Sequence, residues 1–223
     1  MADRAGRPGR IVPVAALALV AALLLAGCGS TTRGGSTAVA GLQSQDNHGY
    51  HATFLESPYT VPDLPLTDTA GKPYSIATAS APLKVVFFGY TNCPDICQVV
   101  MSTIASAVSR LSPEQRKQVQ VDFVTTDPAR DTGAVLRTYL DRLNPAFVGL
   151  TGSLGQIIDV AKPLKVYVAK GQKLPSGGYE VDHSTVVYGI TGSQARLAWA
   201  QDTSPAEMAA DIIKVLKSTK ESS

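Results

Sequence analysis

The run Leu83-Lys84-Val85-Val86-Phe87-Phe88 constrains the fold of this chain more than any other feature. It is rich in β-branched and aromatic residues, and it does not alternate apolar with polar. That pattern reads as a strand buried on both faces, which needs cover on both sides of its sheet. The cover is legible downstream. Ile96, Val100, Ile104, Ala107/Val108 and Leu111 recur at helical spacing, and Val135, Leu136, Tyr139 and Leu140 form a second stripe within Thr132–Leu143. Val119–Thr125 alternates as a strand, and Phe147–Leu150 reads as a short one. Ser112-Pro113-Glu114-Gln115 and Ser153-Leu154-Gly155-Gln156 place Gln three residues after a capping Ser, a helix-start signature. Leu164–Val168 and Thr185–Ile190 are expected as strands, with Ala195–Ala200 as a hairpin partner across Thr191-Gly192-Ser193. Ser204-Pro205-Ala206-Glu207 caps a last helix bearing Ala209, Ile212, Ile213 and Leu216. Ahead of the long strand, residues 61–76 read as a hairpin around a Gly turn. Strands alternating with helices predict an α/β fold, a central mixed sheet flanked by helices, in one domain over about residues 54–220.

The N-terminus carries a different signal. Arg4, Arg7 and Arg10 precede an apolar run, Ile11–Ala26, interrupted by Pro13. The run is shorter than the roughly 20 residues of a membrane-spanning helix. It ends in Leu25-Ala26-Gly27-Cys28, so residues 1–27 are expected to be a signal peptide. Those last four residues resemble the lipobox of bacterial lipoproteins. The resemblance implies a lipid on Cys28 and a domain held at the outer face of the cytoplasmic membrane. Residues 28–53, rich in Gly, Ser, Thr and Ala, read as a flexible tether. His48 and His51 fall within it and read as solvated linker residues rather than a metal pair. Losing residues 1–27 removes three Arg and one Asp, which makes the chain's 20 basic and 18 acidic side chains equal in number. With one Trp and 6% aromatics as well, nothing favours a nucleic-acid partner.

Three cysteines less the lipid-bearing Cys28 leave Cys93 and Cys97, too close together to staple a long loop. Sites in open α/β sheets lie beyond the carboxyl ends of parallel strands. Two loops leave strands there: Cys93-Pro94-Asp95-Ile96-Cys97 and Asp127-Pro128-Ala129-Arg130-Asp131. With Cys93 at a helix entrance and Pro94 in its first turn, residues four apart share a face. The helix N-terminus favours the thiolate there. Two sulfurs on one face form a soft pair suited to Cu(I), usable by Zn, and close enough for a disulfide with modest adjustment. A third ligand candidate is His183, in Val181-Asp182-His183-Ser184, which reads equally as a surface or core histidine. Met101 could offer a thioether one turn beyond Cys97, but its place on the apolar stripe makes it a core residue.

At these residues the chain resembles the SCO/SenC family of copper-handling proteins. The matching stretches are Phe88-Gly-Tyr-Thr-Asn-Cys-Pro-Asp-Ile-Cys97, Thr126-Asp-Pro-Ala-Arg-Asp-Thr132, Leu150-Thr-Gly-Ser153 and Val181-Asp-His-Ser184, in order across residues 59–217. The resemblance implies a thioredoxin-like fold with an N-terminal β-hairpin extension. It implies one copper per chain, Cu(I) and/or Cu(II), on Cys93, Cys97 and His183. Asp127, Arg130 and Asp131 match the family's Asp-Pro-x-Arg-Asp motif, and they read equally as shaping the site or as a capped, salt-bridged turn. The implied function is a metallochaperone, not an enzyme, that takes copper from a donor protein and delivers it to the copper-centre subunit of cytochrome c oxidase. The alternative is a thiol:disulfide oxidoreductase with Cys93 and Cys97 as its redox pair, keeping the oxidase's copper-site cysteines reduced. Two positions depart from the pattern: Gln98 stands where the family commonly has Pro, and Tyr188-Gly189-Ile190-Thr191 where it usually reads Tyr-Leu-Ile-Asp.

Overall fold

The structure, a computed structural model, describes residues 47–173 and 179–221, with the backbone alone at 169–173, 179–183 and 220–221. The expected signal peptide, Cys28 and the tether up to residue 46 lie outside these residues. In chain order the elements are β1 Thr53–Thr60, β2 Leu66–Asp68, β3 Pro73–Tyr74, β4 Leu83–Gly89, α1 Ile96–Ser109, α2 Pro113–Arg116, β5 Val119–Thr125 and α3 Gly133–Asp141. They continue as β6 Val148–Thr151, α4 Leu154–Ala161, β7 Val168–Lys173, β8 Tyr179–His183, β9 Val187–Thr191, β10 Gln194–Trp199 and α5 Pro205–Glu221. Among the described residues, eight strands form one sheet in the order β1-β10-β9-β4-β5-β6-β2-β3, and β7 and β8 pair apart from it. β4, β5 and β6 are parallel, while β9 runs antiparallel to β4. This is the mixed α/β sheet expected.

Every residue of β4 is buried, as its largely apolar run requires. Val85 and Phe87 pack into a core with Met101, Ile104, Leu140 and Ile212 of α1, α3 and α5. Val86 and Phe88 face the other side, with Ile157 and Val160 of α4. Lys84 is the polar exception. Its ammonium donates to the Gly192 carbonyl at 2.6 Å and to that of Ala79 at 3.3 Å. On β5 the buried Asp122 accepts the Tyr74 hydroxyl at 3.0 Å. Burial raises the Asp122 carboxyl to about 7, against the pull of the Tyr74 hydrogen bond and the Lys84 charge. Burial lowers Lys84 in turn, and the Asp122 charge opposes it.

The local signals hold where they are local. Ser112 and Gln115 exchange capping-box hydrogen bonds, as do Ser153 and Gln156. The β2–β3 hairpin turns at Gly71, whose φ of 78° suits glycine. Two expectations are corrected. Leu164–Val168 is not a strand. A 3-10 turn occupies Lys162–Leu164, Lys165 is left-handed, and the strand begins at Val168. Leu164 and Val166 are apolar because they pack beneath α4, not because they join the ladder. The second correction concerns residues 47–53, expected as tether. Ala52 is buried and β1 starts at Thr53. The buried Asp211 of α5 accepts the Ala52 N–H at 2.8 Å, the His51 N–H at 2.9 Å and the Trp199 indole N–H at 2.9 Å. The His51 ring Nδ1 lies 3.0 Å from the same carboxylate, and His48 pairs with Glu56 at 2.6 Å. The acid that orders this segment comes from 160 residues later in the chain, so local composition cannot report it.

Candidate metal centre

β4 and β5 end together, with Gly89 paired to Thr125, so two loops leave the sheet side by side. The Thr126 N–H donates to the Gly89 carbonyl at 2.7 Å and extends the pairing one residue past the strands. The first loop carries Cys93 and leads to Cys97 in the first turn of α1. The second carries Asp127–Asp131.

The structure brings the two sulfurs together, but not as residues on one helix face. Asp95 has φ −140° and ψ −85°, so the helix cannot start before Ile96, and Cys93 and Pro94 precede it. The Cys93 N–H closes a turn onto the Tyr90 carbonyl at 3.2 Å. That turn aims its sulfur at the helix start, where the Cys97 N–H donates to Cys93 Sγ at 3.5 Å. The two are not joined in a disulfide; Cys93 is half-buried and Cys97 buried. The expected bias of Cys97 toward thiolate is also corrected. Burial pushes its thiol up, more than the backbone hydrogen bond from Tyr90 lowers it, with Cys93 and Asp131 adding to the rise. A Cβ at Gly89 would stand 3.1 Å from Cys97 Sγ and 2.8 Å from the Phe87 ring, so glycine makes room for the sulfur at the strand end.

Asp131 is fully buried and ties the two loops. It accepts the Thr91 N–H at 2.9 Å, the Thr91 hydroxyl at 2.5 Å and the Thr125 hydroxyl at 2.7 Å. Asp127 is ion-paired with Arg130. The Arg130 guanidinium lies 5.8 Å from the centre of the Tyr90 ring, so it also braces the cysteine loop. The motif residues thus hold the loop that presents Cys93. Met101 is wholly buried in the core, as its stripe position suggested.

His183 ends β8, opposite Val168. Its imidazole lies outside the described side chains. The chain then enters β9 at Val187, which pairs with Phe87 near the end of β4. Because β9 is antiparallel to β4, the segment carrying His183 arrives at the edge where the cysteine loop departs. Among the described side chains no third His, Cys, Asp or Glu completes a metal-binding group with the two sulfurs.

The profile of the SCO1/SenC family matches residues 54–217. The chain belongs to that family. Among its relatives, the mitochondrial protein SCO2 of Saccharomyces cerevisiae is 34% identical over 66% of this chain and 47% of its own length. The chain spans about half the length of that curated relative. Among solved structures, apo Sco1 of Thermus thermophilus is 30% identical with a TM-score of 0.67, over 74% of this chain and 96% of that one. ScoI of Bradyrhizobium japonicum, solved with copper bound, is 28% identical with a TM-score of 0.63, over 70% and 99% of the two chains.

Within this SCO1/SenC chain, Trp199 accounts for one departure of the sequence from the family pattern. A Cβ at Gly189 would meet the Trp199 ring at 2.8 Å, and the Trp199 N–H reaches Asp211. The indole therefore occupies the space that a larger residue at 189 would need. Reading the sequence missed Gly89, Thr91 and Thr125 as site-shaping residues. Thr91 and Gly89 lie inside the first matching motif. Thr125 continues the face of Val121 and Phe123 and could have been assigned from that alternation.

Proposed function

We propose that this SCO1/SenC chain is a copper metallochaperone. It holds one copper ion on Cys93, Cys97 and His183 and delivers it to the copper centre of a respiratory cytochrome c oxidase. The observation that carries this reading is the meeting of the two sulfurs at the loop between β4 and α1, at the sheet edge where the His183 segment enters. Two thiolates and an imidazole are a soft, low-coordinate donor set, which favours copper in the Cu(I) state and admits Cu(II). Copper is cargo here. Cys97 sits in the buried wall, while Cys93 is half-exposed, so an acceptor's ligand can approach the ion from the Cys93 side. Copper bound to Bradyrhizobium japonicum ScoI supports the assignment. The test is copper stoichiometry and affinity for the wild type, Cys93→Ala, Cys97→Ala and His183→Ala. One tightly held copper in the wild type, lost in either Cys variant and weakened in His183→Ala, is expected. A wild type that takes up none refutes the reading.

The asymmetry of the sulfurs favours a second reading. A half-exposed thiol beside a buried one suits thiol–disulfide exchange, with Cys93 attacking and Cys97 resolving. Two protein thiols would become a disulfide while a target disulfide gains the two electrons and two protons. Export and a lipid on Cys28 would place either activity outside the cytoplasmic membrane. Cys28→Ser should release the protein from membranes, and a variant that stays membrane-bound after a salt wash removes that placement.

A further inference from the structure

A cavity of about 170 Å³ lies between α5 and the sheet, at the end of β4 opposite the cysteine loop. Leu83 opens β4 at the cavity and Gly89 closes it at the loop, so about 20 Å of strand separates the two. Leu83, Leu197 and Val215 give the cavity a buried apolar floor. Tyr50 and Phe54 add a wall of two stacked rings, with centroids 5.9 Å apart. Arg196 is the one charged residue among those lining it, and it is exposed at the mouth. Its guanidinium makes no ion pair and no hydrogen bond among the described residues. The Lys214 ammonium, 4.3 Å from the centre of the Tyr50 ring, adds a second positive charge beside the same wall. Two departures from the family pattern meet here: Gly189 and Thr191 line the cavity where Leu and Asp are usual. An Asp at 191 would place an acid in the wall that holds Arg196, and Thr191 leaves that cation unmatched. At 189, glycine projects no side chain over the apolar floor.

We propose that this cavity binds a small apolar monocarboxylate, its hydrocarbon body against Leu83, Leu197 and Val215 and its carboxylate at Arg196. An apolar cavity of about 150 Å³ holds a benzene ring, so this one takes a body of about six carbons. The guanidinium fork offers a carboxylate two parallel N–H donors, and an apolar floor with one placed charge is the make-up of a small-molecule site. The site is distant from the cysteines, so the inference does not depend on what they hold.

The test titrates the metal-free full chain with benzoate, hexanoate and the uncharged benzyl alcohol, followed by two-dimensional amide NMR. Saturable shifts from the carboxylates are expected, centred on Thr191, Arg196, Leu197 and Ser218, with a Kd on the order of 1 mM for ligands this small. The tighter of the two carboxylates tells an aromatic acid from a fatty acid as the natural class of ligand. Arg196→Gln should weaken benzoate about 3–10-fold, the range for a partly exposed charged pair, and leave benzyl alcohol unchanged. Thr191→Asp should weaken benzoate as well, because its own carboxylate engages Arg196. Arg196 is exposed and Thr191 half-exposed, so neither change breaks the core. The absence of saturable shifts at concentrations well above that Kd overturns the inference. Benzoate binding that both variants leave unchanged also overturns it, since the anion would then go unrecognised. So do shifts centred on the cysteine loop instead of the cavity.

Discussion

The Asp131 carboxylate accepts both the backbone N–H and the hydroxyl of Thr91, at 2.9 and 2.5 Å. With the Thr125 hydroxyl as a third donor, this buried acid holds the cysteine loop against the end of β5. Asp131→Ala strands those donors, and urea unfolding should show a loss of roughly 2–4 kcal/mol. Copper affinity should fall as well, with the thiol count unchanged. Asp131→Asn keeps an acceptor oxygen and should lose less. Wild-type stability in Asp131→Ala would mean that Thr91 is held by other means.

Residues 50–52 should stabilise the fold without serving the metal. A chain beginning at Thr53 loses the His51 and Ala52 donors to Asp211 and the Tyr50 ring under the Lys214 ammonium. Stability should drop by about 2–3 kcal/mol, while copper stoichiometry stays at wild type. Asp211→Asn should cost less in the shortened chain than in the full one, since the interaction it breaks is already partly gone. Additive costs in that cycle argue against the contact.

Asp122 predicts a pH dependence. Its folded-state carboxyl is raised to about 7 from a usual value near 3.8. The unfolded chain releases that proton first, so the contribution is fully present below pH 4 and is lost as pH rises through 7. Urea midpoints of the wild type should therefore decline across this window more than those of Asp122→Asn. Parallel profiles would show that Asp122 ionises normally in the fold.

His183→Ala separates the two functional readings in cells. It retains both thiols, and disulfide exchange has no need of an imidazole. If the protein delivers copper, oxidase activity at limiting copper should fall in His183→Ala as it does in the cysteine variants. Full activity in His183→Ala alone, with both cysteine variants inactive, assigns the protein to thiol chemistry.

What the sequence determined by itself is what near neighbours control. The Leu83–Phe88 run, apolar but for Lys84, demanded a strand covered on both faces, and the helices on either side of the sheet provide that cover. The Ser112–Gln115 and Ser153–Gln156 boxes close over four residues, so they form wherever the chain is helical. The four ordered motifs were enough for the family. Tertiary structure decided whatever depends on partners distant in sequence. Strand β1 pairs with β10 across a register shift between Phe54 and Tyr59, which spoils the alternation that would have revealed it. Asp211 reaches back to His51 from the last helix. The cysteine spacing put the sulfurs within reach of each other, but the turn at Tyr90–Cys93 joins them, and burial set the state of Cys97. Desolvation and long-range hydrogen bonds depend on the whole fold, and no stretch of sequence carries them alone.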